Sequence, residues 1–446
     1  MVRLFSANRP LAILVFALAS AAPVLAAEPV TIDALVAETV AKNPELQFYD
    51  AEIAAARAGR VTAGAWANPQ LSSELGQKRV RDLAGNDVSD GPSWSLTLSQ
   101  TFEFPGRLSL RKAIANRQIE LAKLGRQQFR ASLAMRARSL GYRLLAAQQR
   151  AEAADEVAKR FEDLLAVLVQ RDVAGVAPML EIRIIEASAL TLNRRASEAT
   201  IAMRNAQFEL NQLRGLPVST PIEVARTPLQ LSAAPPLETL LSTAREQNFD
   251  IRARIAELEQ QGLRVQLSRN ERWPSVTVAP YIREEEASDK ERQIGLGVTV
   301  PLPVLDLNAG SIAAANARQA QAEVALAVAL RELERNIAAA RNAYETLLSE
   351  AGRWPADAVQ RFGDAARAGD EHYRLGALPI ATYTTLQTQY LDAVDALLST
   401  QADALEARQQ IELLTGLNLG DDAGTAMNSA NDQPAAVTAD HKPLRR

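Results

Sequence analysis

The sequence predicts a mainly α-helical protein with a membrane β-barrel part, in which a strand hairpin and a long helical hairpin occur twice. Three observations support this fold class. Matching residues recur 200 to 205 positions apart, four short segments alternate apolar and polar residues, and long segments space their apolar residues by three and four. The first pattern indicates a duplication, the second indicates β-strands, and the third indicates packed α-helices.

The first 26 residues are predicted to be a signal peptide (1–26). Arg3 and Arg9 precede an apolar stretch, Leu11 to Ala22, and small residues follow it at Ala26 and Ala27. An N-terminal membrane anchor is the alternative, but the stretch is short for a spanning helix. Because the chain has no cysteine, we expect no disulfide, no thiolate metal site and no lipidated cysteine.

The rest of the chain is predicted to consist of two repeats. Asn43 and Asn248 stand 205 residues apart, and Gly215 and Gly416 stand 201 apart. Each match is weak alone, but the matches follow one another in the same order along both halves. A proline-rich stretch joins the halves, and a small, polar segment ends the chain. The predicted division is 27–215 for the first repeat, 216–236 for the linker, 237–419 for the second repeat and 420–446 for a disordered tail.

Each half contains one predicted strand hairpin, with charged loops expected at the tips, 79–91 and 284–292. The alternation gives each strand an apolar and a polar face, as a strand between lipid and a lumen requires. A half-buried soluble sheet has the same alternation and is the alternative. The strands are predicted at 71–77, 93–104, 275–282 and 293–302.

The other segments are predicted to form long helices packed as in coiled coils. Apolar residues at Ile182, Ile185, Ala189 and Leu192 step by three and four, and a similar series runs from Leu386 to Leu414. The segment 107–172 is long enough for roughly 100 Å of continuous helix. In the second half, Pro355 is expected to break the equivalent helix.

Four membrane strands cannot close a barrel, since the smallest single-chain barrels use eight. An open sheet would leave unpaired N–H and C=O groups in hydrocarbon. Two chains would make an eight-stranded barrel with little lumen. Three chains would make twelve strands and a pore, so the sequence predicts a homotrimer whose helices extend into the periplasm.

The sequence contains few of the residue patterns that are typical of an enzyme active site. It contains two histidines, and its net charge of −4 argues against an electrostatic nucleic-acid binder. No nucleophile elbow, phosphate loop or paired metal-ligand spacing is present. We therefore predict no catalytic, cofactor-binding or metal-binding residue.

Two short turns reverse the long helices. The first contains Gly175, Val176 and Ala177, and the second contains Gly376, Ala377 and Leu378. In each, a glycine ends one helix and a proline starts the next. They are either plain turns or exposed apolar tips that dock a partner, and turn chemistry alone does not choose between these.

Several motifs resemble those of the TolC-like outer-membrane efflux factors, over nearly the whole chain after the signal peptide. They are the sequences at 43–46, 66–69, 100–107, 301–304 and 386–397. The resemblance implies a trimeric twelve-stranded barrel above an α-helical periplasmic tunnel. It also implies a passive efflux channel of the bacterial outer membrane that docks a periplasmic adaptor joined to an inner-membrane RND transporter. The docking tips would then be Gly175, Val176, Ala177, Gly376, Ala377 and Leu378.

Within this family, 100–107 and 301–310 are most similar to the CzcC-type heavy-metal branch, which implies metal cations as cargo. A multidrug or type I secretion channel is an alternative, as is a periplasmic coiled-coil structural or adaptor protein. Relatives often have two aspartates after the second tip, where this chain has Thr382 and Thr385. The candidate aperture acids are instead Glu181 and Glu186 in the first repeat.

Overall fold

The computed structural model describes residues 29–173, 179–226, 229, 231–355, 357–417 and 419. The predicted signal peptide, the first reversal with Gly175, Val176 and Ala177, and the predicted tail lie outside the described residues. The two halves of the described chain have closely similar element orders, helices first, then a strand hairpin, then helices.

The first half contains four helices and two strands within the described residues. Helix α3 spans 67 residues, which corresponds to roughly 100 Å, and it confirms the predicted long helix. The elements are α1 Ile32–Lys42, α2 Glu45–Ala63, β1 Gln70–Arg81, β2 Asp87–Phe102, α3 Arg107–Val173 and α4 Met179–Arg214.

The second half repeats this order with one extra helix. The long helix is interrupted around Pro355, as predicted, because proline lacks the N–H that a helix interior needs. The elements are α5 Leu237–Gln247, α6 Phe249–Glu271, β3 Val276–Glu286, β4 Lys290–Thr299, α7 Ala309–Ala351, α8 Ala358–Arg374 and α9 Ile380–Thr415.

The four strands form one antiparallel sheet in the order β1-β2-β3-β4. The hairpins are longer than the alternation predicted, and the expected tip loops were wrong in extent. The turn of the first hairpin contains only residues 82–86, and the turn of the second contains only residues 287–289. Charged residues extend the strands because they pair across them: Lys78 lies 3.0 Å from Glu285, and Lys290 lies 2.8 Å from Glu284.

The helices pack side by side around three clusters of buried apolar residues. One cluster lies between α3, α4, α8 and α9, and the other two lie around α1 and around α5. The predicted stripe of α4 is buried, including Ile182, Ile185 and Ala189. Helix α9 buries more than the one predicted stripe, for example Leu391 and Val394, because it contacts α3, α7 and α8.

The matching asparagines of the repeats perform the same structural task. Asn43 Nδ2 donates to Leu213 O at 2.9 Å, and Asn248 Nδ2 donates to Leu414 O at 2.9 Å. Each Oδ1 accepts a backbone N–H at the start of the next helix, from Glu45 and Ile251 respectively. Each asparagine therefore ties the start of one helix to the last turn of another, α2 to α4 and α6 to α9.

Replacing Asn43 or Asn248 with alanine should destabilise the protein by about 1–3 kcal/mol each, because a buried carbonyl and a helix N–H lose their partners. The midpoint of thermal unfolding, followed by circular dichroism in detergent, measures this loss. Asn342→Ala is the matched control, because Asn342 is exposed on α7. Equal midpoints for all three variants would contradict the role of the asparagines.

Candidate functional site

The two faces of the sheet differ in chemistry and in exposure. Cross-strand partners place Leu71 opposite Leu98, and Ile282 opposite Ile294, on one apolar face. This face is open: Leu75 is 88% exposed, Leu71 67% and Leu296 64%. The opposite face is polar and partly open: Ser72 and Gln293 are exposed, whereas Ser95 in the middle of β2 is 8% exposed. Within the described residues no helix packs on the apolar side, which a soluble half-buried sheet would cover.

Hydroxyl and small residues fill the polar face. The hydroxyls of Thr101 and Thr277 lie 3.0 Å apart across β2 and β3, and Ser95 Oγ donates to Glu74 at 3.2 Å. Gly295 is required beside Tyr281, because a Cβ at this position would lie 2.6 Å from the tyrosine ring. These contacts satisfy polar groups on the polar face, and the apolar face has no packing partner in the described chain.

The second helix reversal has the geometry that its glycine predicts. Gly376 has a φ of 71°, and its N–H donates to Tyr373 O at 2.9 Å. The N–H of Ala377 donates to His372 O at 2.9 Å. This pair of hydrogen bonds is a Schellman motif, which satisfies the last carbonyls of α8. Pro379 then precedes the first residue of α9.

The predicted exposure of Leu378 is wrong. Leu378 is half-buried and packs on the cluster that contains Ile380 and Tyr383, because the reversal folds its side chain back toward the helices. The exposed apolar side chain at this reversal is Leu375, which is 81% exposed. Gly376 and Ala377 are also exposed.

A polar network beneath the reversal was not predicted from the sequence. Tyr383 is fully buried between the rings of Phe161 and Tyr373, at centroid distances of 5.1 and 5.0 Å. Its hydroxyl donates to Asp370 at 3.0 Å, and Arg374 donates to the other carboxylate oxygen at 2.9 Å. Burial, reinforced by the charge of Asp370, raises the pKa of Tyr383 far above its usual value. Tyr383 lies seven residues before Tyr390 and therefore on the same face of the helix. This spacing was the sequence pattern that could have predicted its burial.

The candidate aperture acids are not gathered into one cluster. Glu186 is paired with Arg183 at 2.6 Å, and Glu181 stands five residues earlier on α4, on a different face of the helix. Thr382 and Thr385 are exposed, and the Thr385 hydroxyl donates to Ala381 O at 2.8 Å. The role of Glu181 and Glu186 stays a prediction.

The described residues contain neither a candidate metal site nor a helix that could span a membrane. No group of three histidine, aspartate or glutamate side chains in them could hold a metal ion. None of the described helices combines the length and the apolarity that crossing a membrane requires.

Residues 35–216 match the model of the outer membrane efflux protein family. This match confirms the resemblance that the sequence motifs indicated. Comparison with curated proteins found no match.

Solved structures share the fold of this chain. CusC has 16% sequence identity and a TM-score of 0.67, over 86% of this chain and 92% of CusC. The CmeC outer membrane channel of Campylobacter jejuni has 15% identity and a TM-score of 0.70, over 86% of this chain and 85% of its own. The MtrE outer membrane channel of Neisseria gonorrhoeae has 18% identity and a TM-score of 0.63, over 86% and 88%. The shared fold confirms the predicted helical architecture with its β part.

Replacing Gly376 with alanine should destabilise the protein by about 1 kcal/mol, because a side chain disfavours the left-handed backbone of this position. No atom stands in the way of the added Cβ, so the backbone conformation is the sole cause. Gly262→Ala is the matched control, since Gly262 has the same free space in the middle of α6 and an ordinary helical backbone. Thermal unfolding should show a lower midpoint for Gly376→Ala and an unchanged or higher one for the control. Equal shifts would refute the explanation.

Proposed function

We propose that this chain, whose residues 35–216 match the outer membrane efflux protein family, is the outer-membrane channel of a tripartite efflux system. It conducts its cargo passively, with its sheet in the outer membrane and its helices in the periplasm. The observation that carries this proposal is the exposed apolar face of the sheet. A continuous apolar surface on four strands, opposite a polar face, suits contact with lipid on one side only.

The open edges of the sheet support a homotrimer. Among the described residues, β1 pairs only with β2, and β4 pairs only with β3. Each strand has 10 to 16 residues, enough to cross a bilayer when tilted. Because hydrocarbon does not tolerate unpaired edges, β1 of one chain joins β4 of another, and three chains close twelve strands. A periplasmic adaptor would expose this apolar sheet to water, which disfavours the adaptor alternative.

The helix reversals are the proposed docking end for a periplasmic adaptor, which links the channel to an inner-membrane transporter. Leu375 is exposed at the second reversal, and Met179 and Leu180 are exposed at the start of α4. Ile182 and Ile380, close to these residues, belong to one buried cluster, so the two hairpin ends lie together. Exposed apolar residues at one end of a helical bundle suit a protein partner.

The exported cargo is not determined by the channel architecture. Metal cations are the cargo that the motif resemblance to the CzcC-type branch implies. A passive conduit needs no metal ligands of its own, because the transporter selects what enters. Survival of a deletion strain on metal salts and on organic toxins would distinguish a metal channel from a multidrug channel.

Detergent-purified protein should contain three chains per particle, because the sheet of one chain cannot close alone. Native mass spectrometry measures this number directly. A stable monomer that stays in solution without detergent would contradict the proposed membrane sheet and its closure.

Replacing Leu375 with aspartate should leave trimer assembly intact and reduce efflux at least about tenfold, because an unpaired charge would be buried in the docked interface. The measurements are toxin resistance of a complemented deletion strain and photo-crosslinking to the adaptor from Ala377. Val218→Asp is the control, since Val218 is also exposed but follows the opposite end of α4. Normal export and crosslinking by the Leu375 variant would exclude this residue from docking.

A further inference from the structure

An open-sided cavity of about 800 Å³ lies where the helices meet the sheet. Residues of α2, α3, α6 and α7 line it. These helices end shortly before a strand or begin shortly after one. The volume is that of a site for a small organic molecule.

The charged groups in the lining of the cavity are all positive. Arg111, Arg264 and Arg318 line it, and no aspartate or glutamate does. Arg111 is paired with Glu103, at the edge of the sheet. The described structure gives Arg264 and Arg318 no ion pair. By contrast, Arg117 of α3, which does not line the cavity, is paired with Glu120 and Glu259.

Two shielded polar atoms in the wall lack a hydrogen-bond partner within the described structure. They are Nε of Arg111, a donor, and Oε1 of Gln261, an acceptor. Because solvent does not reach either atom, a ligand in the cavity meets instead the exposed side chains of Arg264 and Arg318.

The uncharged part of the lining is mostly small or apolar, with three glutamines among it, Gln118, Gln260 and Gln261. Ala55, Gly59 and Ala314 leave space on α2 and α7, while Ile114 and Leu267 add apolar surface. A Cβ placed on Gly59 would meet no atom within 4 Å. The cavity therefore suits a molecule with an anionic group and an apolar body, because it offers guanidinium donors beside apolar wall.

The cavity lies on one side of a row of four helices. Helix α2 contacts α3, α3 contacts α6, and α6 contacts α7, so the four stand in one row. A space that all four line lies on the concave side of this row. In the proposed trimer that side is the tunnel lumen, and the inference rests on the proposed function in this respect. Three chains would place nine arginines around one level of the tunnel.

We propose that this cavity binds organic anions with an apolar part, of the carboxylate or sulfonate class, and that Arg264 and Arg318 hold the anionic group. The site stands in the tunnel wall directly beneath the sheet. It favours anionic cargo at this level and disfavours free metal cations, because a cluster of positive charges attracts anions and repels cations.

Octanesulfonate and octyltrimethylammonium are suitable probes, because they share the apolar tail and differ in charge. Isothermal titration of the full chain in a non-ionic detergent should show saturable binding of octanesulfonate and none of the cation. The double variant Arg264→Gln/Arg318→Gln should weaken this binding at least about tenfold. Equal binding of both probes, or no saturable binding, would overturn the proposal.

Two variants separate charge from general damage to the fold. Arg269→Gln/Arg331→Gln removes two exposed arginines of the same helices that do not line the cavity, and binding should be unchanged. Gly59→Leu should weaken binding by filling the space without changing charge. Wild-type affinity in the cavity variants, or equal loss in the control, would refute the site.

The titration needs no ion current, so it separates the two proposals. Wild-type protein that binds octanesulfonate but forms no channels in planar bilayers would overturn the proposed function and leave the site standing. Channels that conduct without any octanesulfonate binding would overturn the site alone.

Discussion

An apolar sheet face without a covering partner is the constraint on which the rest of this structure depends. Leu71 and Leu296 lie on this face with most of their surface exposed, which water disfavours. Hydrocarbon accepts the face but disfavours the open edges of β1 and β4. In the proposed trimer, edge-to-edge joining of the chains in a membrane would resolve both problems. The helices that precede and follow the strands then form a continuous layer beneath the sheet, so the width of the sheet sets the spacing of the helical layer.

The duplication provides each half with the same internal support. Asn43 and Asn248 make equivalent hydrogen bonds to the last turns of α4 and α9. Other matched positions keep the task and change the residue: Asn211 donates to Val218 O at 2.9 Å, whereas Glu412 accepts from Leu419 N at 3.0 Å. Both side chains hold the segment that follows a helix-ending glycine. Burial raises the pKa of Glu412, against the opposing charge of Arg408. A shared geometry thus persists where the donor and acceptor have been exchanged.

The positive charge of the cavity bears on the proposed cargo. The motif resemblance to a heavy-metal branch favours cations, whereas Arg264 and Arg318 favour anions at the junction with the sheet. The first indication comes from a short local sequence, and the second is an electrostatic property of four helices together. In the proposed channel the transporter would select the cargo, and a basic level in the wall would slow cations more than anions.

The sequence by itself determined the elements that depend on neighbouring residues. The alternation of Trp94, Leu96 and Leu98 predicted a strand with two unlike faces, and the stepwise spacing from Ile182 predicted the buried stripe of α4. The break near Pro355 and the left-handed Gly376 followed from backbone chemistry. These predictions succeeded because period, proline and glycine act within a few residues.

Only the tertiary structure decided what depends on residues far apart in the chain. Cross-strand ion pairs, such as Lys78 with Glu285, extended the hairpins beyond the predicted tips. The folded reversal buried Leu378 and left Leu375 exposed, and the approach of α8 to α9 brought Asp370 to Tyr383. The basic cavity combines side chains from four helices that are distant in the chain, so no local pattern could predict it. Pairing partners and exposure are properties of packing, and packing is fixed only when the whole chain has folded.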